Sequence, residues 1–556
     1  MPRPYTRMTM SDILIILTTL IWLAGACLRI YRQARFYQIE EYMIGRYLRW
    51  LLGERARWLP TRPVVAALFG MALSVVMSEG GGTLPAVIAM IAALIAVYPP
   101  NEGEVKKRLR LTARVKRLLG ASFAVQGAAW IVGGFIVYWL IRRNDLGGFA
   151  PALVSGFGLA LFLLAPLALV VGNILMIPVE AAFRRMFVNR ARRALADVNP
   201  TVIGITGSYG KTSTKNYLSY ILNGRYRTYP TPKSYNTLMG VCIAINNDVA
   251  NNHSIEYFIA EMGAYVPGEI REICDLVHPT ISIVVEVGPQ HLERFGTLEN
   301  TAQATYEIIR ALPPDGIGVF NWDNLYIRAM IERGYPATRL GVSREADPAN
   351  APEGVRFVAS DITETLDGLR FTVTDAETGA REDFTTPLLG VHNVTNLLLA
   401  TAVAVHEGMS LKEIAQRVRT LQPAESRLTR QVTAQGITVI NDAYSANPVG
   451  IVGALRVLSL HGGRRLLITP GMVELGDLME TENRRLGELA AAHATDVILV
   501  GKQTAPILDG LLAAGFPPDR VQTVGTLAES VKWYQRNLAA GDTVMFLNDL
   551  PDTYSS

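Results

Sequence analysis

Two hydropathy patterns divide the chain. Up to residue 178 the apolar residues stand in long blocks, over 11–28, 63–78, 84–98, 121–141 and 151–178. A helix needs about 20 mostly apolar residues to cross a bilayer, so the blocks predict a membrane region of about five helices, the second and third short. Ser78-Glu79-Gly80-Gly81-Gly82 between those two reads as a tight turn. Beyond residue 200 short apolar runs alternate with amphipathic stretches. Strands are expected at 201–206, 254–261, 280–287 and 316–320, with helices from Lys211 onward and over 267–277 and 297–310. Such alternation builds a parallel sheet with helices on both faces.

Residues 355–388 break that rhythm with short strand-like runs and Asp/Gly turns, which predict antiparallel pairing. A helix is expected from His392 through Ala404, and Pro423 marks a boundary. A second α/β unit follows, with strands at 437–441, 465–469, 496–500 and 543–547. The fold class is α/β: a parallel-sheet central domain and a Rossmann-like C-terminal domain, preceded by an α-helical membrane region. The divisions are 1–178 for the membrane region, 179–200 for a basic linker, 201–424 for the central domain and 425–556 for the C-terminal domain.

Charge sharpens this division. The 556 residues carry a net +4, but residues 1–200 hold 24 Lys+Arg against 10 Asp+Glu, and the remainder 29 against 39. Basic residues follow the loops: 8 in 29–62, 7 in 99–120 and 5 in 177–200, against 2 in 1–10, none in 79–83 and 2 in 142–150. Lys and Arg stay on the cytoplasmic side, which places the N-terminus outside and everything after residue 178 in the cytoplasm. No Asp, Glu or His lies mid-span, and Asp12 stands at an end. A proton- or ion-coupled transporter needs such groups, so the region reads as an anchor or a lipid-facing platform. Mean hydropathy is +0.21 and only 18% of residues are charged. The 3 Cys have no metal-ligand spacing. No nucleic acid partner is expected.

The strongest chemical signal is Gly204-Ile-Thr-Gly-Ser-Tyr-Gly-Lys-Thr-Ser213. A strand passes through Gly207, Ser208 and Gly210 into a helix that opens with Lys211, Thr212 and Ser213. Backbone N–H groups at such a turn cradle phosphates, the Lys reaches the β- and γ-phosphates, and the Thr hydroxyl binds Mg²⁺. The strict P-loop pattern asks for Gly at 205, where Ile205 stands, so the match is to a shorter form.

Further stretches follow in order: 231–240 (Thr-Pro-Lys-Ser-Tyr-Asn-Thr-Leu-Met-Gly), Glu261-Met-Gly-Ala, Glu286-Val-Gly-Pro-Gln-His-Leu-Glu-Arg-Phe-Gly296 and Asn321-Trp-Asp323. Then come Leu389-Gly-Val-His-Asn-Val-Thr-Asn-Leu397, Ser426-Arg-Leu and Asn441-Asp-Ala-Tyr-Ser-Ala-Asn-Pro448. With the P-loop, this ordered set resembles the Mur ligase superfamily, the ATP-dependent amide ligases of cell-wall and polyglutamate synthesis. The resemblance covers about residues 200–556. It implies ATP and Mg²⁺ as cofactors and, as partners, a carboxylate-bearing envelope precursor, an amine (amino acid or dipeptide) and membrane lipid. The implied reaction phosphorylates the carboxylate, and an amine then displaces phosphate from the acyl phosphate.

The resemblance also assigns residues. Lys211, Glu261 and His291 are the implied catalytic residues. Thr212 and Glu261 would hold the nucleotide's Mg²⁺, and His291 would lie at a second metal. Gly207, Ser208, Gly210, Lys211, Thr212 and Ser213 would bind phosphate, Asn396 adenine, Asp442 ribose and Arg427 the phosphate side. There are three departures. Thr305 stands where most members have a carbamylated lysine, so that either Glu307 or Glu293 substitutes as the anion or the second metal site is weak. The segment Leu547–Asp552 lacks the usual Lys-Gly-Ser. Apolar helices replace the usual N-terminal UDP-binding domain. The leading reading is a membrane-anchored ligase of an envelope precursor. A polyglutamate-type ligase, an ATP-driven transport component and a non-catalytic membrane scaffold are the alternatives.

Overall fold

A computed structural model describes residues 8–40, 42–80, 82–99, 109–233, 235–424, 427–443, 446–501 and 504–548. Gly81, Ser234, Ser426, Tyr444, Ser445 and 549–552, all within the stretches read above, lie outside the described residues. The chain divides into two units, Met1–Met186 and Phe187–Ser556.

The first unit is helical. Among the described residues, four helices are long and apolar enough to cross a bilayer: Met10–Ile39, Thr61–Glu79, Ala113–Arg143 and Gly147–Val198. Five were expected. Leu84–Val97, at 14 residues, rises only ~21 Å, short of a ~30 Å hydrocarbon core. It packs against Thr61–Val76 through small residues: Gly70 meets Ala92, and the Ser74 hydroxyl donates to Pro85 O at 3.0 Å. A Cβ on Gly70 would fall 2.2 Å from that of Ala92, the close approach that small residues permit between apolar helices. Outward-facing residues are large and apolar: Ile131 is 76% exposed, Phe69 69% and Phe135 68%.

One buried cation in this unit has a clear structural reason. Pro166 lies inside the long last helix and has no N–H to offer the carbonyl of Phe162, four residues back. Arg29 Nη1 donates to that carbonyl at 2.9 Å, and its Nη2 donates to the carbonyls of Arg57 and Trp58, each at 3.0 Å. The expected linker at 179–200 is instead helical, because the helix continues unbroken to Val198. The last turns of that helix carry apolar residues at helical spacing. Ala191 and Leu195 are buried in the core of the second unit.

The second unit holds two sheets. The larger comprises β1 (Thr201–Thr206), β2 (Thr228–Pro230), β3 (Tyr257–Glu261), β4 (Ile281–Val284), β5 (Ile317–Asn321), β6 (Thr338–Ser343), β7 (Val355–Thr365), β8 (Gly368–Asp375) and β9 (Arg381–Thr386). Their order is β2-β3-β1-β4-β5-β6-β7-β8-β9. Pairings are parallel through β7 and antiparallel for β7-β8-β9, so the strands expected within 355–388 extend the same sheet. One face packs on helices Lys211–Leu222 and His392–His406, the other on Glu269–Val277 and Leu298–Arg310. The chain leaves β1 toward β2 and β3 and later returns to β4 on β1's other side, so β1 lies at the switch point where such sheets bind ligands.

The smaller sheet comprises β10 (Thr429–Val432), β11 (Thr438–Asp442), β12 (Arg465–Thr469), β13 (Asp496–Val500), β14 (Val521–Val524) and β15 (Thr543–Leu547), ordered β10-β11-β15-β12-β13-β14. Its four expected strands are present. The edge strands β10 and β14 were not anticipated, because their Thr-Arg-Gln-Val and Val-Gln-Thr-Val runs are largely exposed and too polar to register as core. β6 was missed because Arg339 and Gly341 interrupt its apolar run.

Candidate functional site

The P-loop occupies the end of β1. Gly207 has φ 142° and Gly210 φ 78°, the left-handed region that glycine enters without penalty. A Cβ on Gly210 would stand 2.6 Å from Asn396 Oδ1, and one on Gly207 2.8 Å from the backbone of Glu286. The first intrahelical bond of the following helix is Thr214 N–H to Gly210 O, which leaves the N–H groups of Lys211, Thr212 and Ser213 at the helix opening. Ser208 is differently engaged: its N–H donates to Glu286 O at 2.7 Å and its hydroxyl to Gly288 O at 2.9 Å. It therefore ties the loop to 286–288, and its N–H does not face a phosphate.

Lys211 folds back on its own loop, donating to the carbonyls of Gly207 and Ser208. Desolvation pushes its pKa down to about 8, with Glu261 opposing and Arg427 adding to the shift.

Glu261 pairs in register with Ile205 of β1. The Thr212 hydroxyl lies 3.0 Å from Glu261 Oε1, Lys215 Nζ donates to Oε2 at 2.9 Å and Asn236 Nδ2 to Oε1 at 3.4 Å. Lys215 also donates to Lys233 O, and Thr231 accepts from Glu261 N–H. The motif 231–240 thus wraps the carboxylate. The oxygens of Thr212 and Glu261 suit Mg²⁺, whose hard, octahedral shell of ~2.1 Å bonds places neighbouring ligands ~3 Å apart. Lys215 was not read from the sequence, although it lies one helical turn after Lys211.

A cavity of about 270 Å³ opens beside the P-loop and is lined by Gly210, Ser213, Asn396, Arg427 and Asp442, residues of both sheet-bearing halves. Lys211, Thr212, Glu261 and His291 are not part of its lining. Asn396 Oδ1 accepts from Thr214 at 3.2 Å, and its Nδ2 donates to Asn393 at 3.0 Å. Asn393, missed by the sequence reading, also accepts from Tyr217 and so fixes the amide's orientation. Burial raises Asp442 to about 6, with Arg427 opposing. Glu286 also lines the cavity, and burial raises it to about 7 against the hydrogen bond from Asn324, the charge of Arg344 and the bond from Asn321. His392 is pushed down to about 4 by burial, then by Arg344 and Arg427.

His291 stands apart from that cavity, three residues past Gly288. Its Nδ1 meets Glu474 Oε2 from the half that carries the smaller sheet, and its ring lies edge-on to Tyr265, with centroids 4.6 Å apart. Thr305 is buried and donates to Thr301 O within its own helix at 2.8 Å. Glu307 does not substitute for a carbamate: its carboxylate accepts from the N–H groups of Gly268 and Arg271 at 2.7 and 3.1 Å, capping a different helix. Among the described residues no three His, Cys, Asp or Glu side chains cluster as a metal site.

Comparison with known proteins converges on the same assignment. Residues 205–404 match the Mur ligase middle domain and 426–547 the Mur ligase, glutamate ligase domain. The UDP-N-acetylmuramoyl-tripeptide–D-alanyl-D-alanine ligase of Escherichia coli (strain K12) is 31% identical over 370 residues, 66% of this chain and 78% of that protein. Its Bacillus subtilis (strain 168) counterpart is 29% identical over 361 residues, 64% of this chain and 74% of that protein. A crystal structure of MurF from Acinetobacter baumannii shares the fold with a TM-score of 0.57 and 24% identity, covering 66% of this chain and 77% of its own. MurF ligase from Thermotoga maritima in complex with ADP gives a TM-score of 0.56 at 22% identity, covering 66% and 80%. The chain belongs to the Mur ligase family and is an ATP- and Mg²⁺-dependent carboxylate–amine ligase that forms ADP and phosphate.

Proposed function

We propose that this ligase is anchored in the cell membrane, with its catalytic half in the cytoplasm, and that it extends the peptide of a cell-envelope precursor. The relatives named above add D-alanyl-D-alanine to a UDP-linked muramoyl tripeptide, which supports a peptide carboxylate as acyl donor and an amino acid or dipeptide as amine. The observation that carries this reading is the convergence at β1: a phosphate-cradling helix opening, the Thr212–Glu261 oxygen pair, and a cavity whose walls include Asn396 and Asp442. The apolar exterior of the first unit and its basic loops support the anchor.

In this reading the P-loop glycines let the backbone approach the phosphates, and Lys211 neutralises them. Thr212 and Glu261 would hold Mg²⁺, which supplies charge neutralisation as the terminal phosphoryl moves to the donor carboxylate. Asn396 would position the base and Asp442 the ribose, while Arg427 brings a cation from the other half. The substrate carboxylate attacks the phosphoryl group to give an acyl phosphate and ADP. The amine then adds to the acyl carbon, and the tetrahedral adduct collapses with loss of phosphate and a proton. Binding and orientation supply most of the acceleration.

Two measurements test the reading. Purified protein should release phosphate from ATP only when a muramoyl-peptide donor and a D-amino acid or dipeptide acceptor are both present. Acceptor-independent release, or release driven by glutamate alone, would refute the proposed substrate class. For the anchor, a membrane-impermeant thiol reagent on intact cells, in a background with Cys27, Cys242 and Cys274 replaced, should label Gly147→Cys and spare Gly53→Cys. The reverse pattern would overturn the orientation. This orientation requires Thr61–Glu79 and Leu84–Val97 to cross as a pair or to re-enter as a pair, so that the chain returns to the side of 29–62; crossing by Thr61–Glu79 alone would place Gly53 and Gly147 on one side, and the reagent would label both or neither.

A further inference from the structure

We infer that residues 43–58 form an interfacial arm that docks on the headgroups of anionic phospholipids. This rests on the membrane-anchor reading above and names the lipid chemistry that the anchor meets. The arm comprises the helices Ile44–Leu52 and Arg55–Trp58, folded back along the first helix, Met10–Ile39. Three contacts fix its depth. The Tyr47 ring lies 4.5 Å from that of Tyr37, the Tyr47 hydroxyl donates to Gln33 Oε1, and Arg29 donates to the carbonyls of Arg57 and Trp58, each at 3.0 Å. Phe36 and Trp50 also stack, with centroids 4.1 Å apart. The arm thus runs from the level of Tyr37 back to that of Arg29, the first residue after the apolar block 11–28. Eight residues of helix rise ~12 Å, and a headgroup layer is ~5–8 Å deep. The Trp58 end therefore stands at the apolar boundary, and the arm crosses the headgroup layer.

The two sides of the arm differ. Tyr47 and Leu51, one turn apart, are buried in the core of the helical unit. Met43, Leu52 and Trp58 are exposed, Leu52 at 63%. Arg49 and Arg55 are exposed as well and, among the described residues, form no ion pair, whereas Arg46 pairs with Glu40 at 3.0 Å and Arg57 with Glu54 at 2.9 Å. Exposed apolar side chains beside uncommitted arginines suit the boundary between acyl chains and headgroups. Leucine, methionine and tryptophan enter the boundary, and the guanidiniums meet phosphate above it. Residues 43–58 hold 4 Arg against 1 Glu, so the arm favours an anionic bilayer over a zwitterionic one.

The test reconstitutes the full chain, with Cys27, Cys242 and Cys274 replaced, in vesicles of phosphatidylcholine and phosphatidylglycerol. Nitroxides are attached to Leu52→Cys and, as a reference, to Ile131→Cys, an exposed position midway along Ala113–Arg143. Both labels should collide with oxygen and be shielded from a neutral, water-soluble nickel chelate. With spin-labelled lipids instead, the unlabelled chain should select phosphatidylglycerol over phosphatidylcholine. Arg49→Gln/Arg55→Gln should weaken that selection about fivefold, high salt should weaken it similarly, and Arg49→Lys/Arg55→Lys should retain it. Nickel access at Leu52→Cys with Ile131→Cys shielded would overturn the inference and leave the anchor standing. Lipid selection unchanged in the glutamine variant would overturn it too, assigning the preference to other basic residues. Nickel access at both positions would refute the anchor itself.

Discussion

In the helical unit the guanidinium of Arg29 is buried against three backbone carbonyls, one of them freed by Pro166. In the ligase unit the ammonium of Lys215 is buried against Glu261, beside the opening of the P-loop helix. Both cations satisfy groups that burial would otherwise penalise. They differ in what they hold. Arg29 repairs the backbone of a helix whose outer face is apolar, so it serves the fold. Lys215 orients a carboxylate at the opening of the P-loop helix, so it serves the chemistry, and the fold only secondarily. A buried charge is thus read from its partner: carbonyls mark a structural role, and a carboxylate aimed at a binding site marks a functional one.

The contrast can be broken most forcefully at Glu261. Glu261→Gln should lower ligation on the order of 10³-fold, because a ligand to the phosphate-bridging ion is lost, with nucleotide affinity changed far less. It also strands Lys215, at about 3–5 kcal/mol for a broken buried pair. Adding Lys215→Met should restore thermal stability and leave turnover depressed. Recovery of turnover in the double variant would show that Glu261 is merely structural.

The helical unit predicts the opposite outcome. Arg29→Leu leaves buried carbonyls unpaired, at about 1–3 kcal/mol each, so unfolding in detergent should shift to lower temperature while phosphate release per folded molecule stays unchanged. Pro166→Ala restores an N–H for Phe162 O and should recover part of that loss. An additive effect of the two changes would refute the pairing of Arg29 with the proline-freed carbonyl.

A smaller effect sharpens the ligase side. Lys211, held down to about 8 by burial, must be charged to meet phosphate. Nucleotide binding should therefore take up a proton near pH 8–9, and affinity should fall up to about tenfold per pH unit above the free-state value. Calorimetry in buffers of different ionisation enthalpy reads this directly. Lys211→Arg, which stays protonated, should abolish proton uptake, and persistence of uptake would assign it to another group.

Local order carried most of the fold and part of the site. Apolar run length separated the helical unit from the sheets, because long helices with apolar outer faces and short buried strands demand different patterns. Gly207, Gly210, Lys211 and Thr212 were legible because a phosphate-cradling turn is contiguous in sequence. Glu261 was legible because it closes an apolar strand. Apart from Lys215, the remainder depended on contacts that sequence spacing does not record. Glu474 reaches His291 from 183 residues away, Asn393 orients Asn396 through a tyrosine on another helix, and Arg29 meets a carbonyl 133 residues distant. The sequence by itself determined the helices, the apolar strands and the P-loop, because those follow from local periodicity and backbone freedom, while the polar strands β10 and β14 and the interrupted β6 emerged only in the sheet. Only the tertiary structure decided which charges face one another, because burial, pKa and ligand pairing belong to surfaces that folding alone brings together.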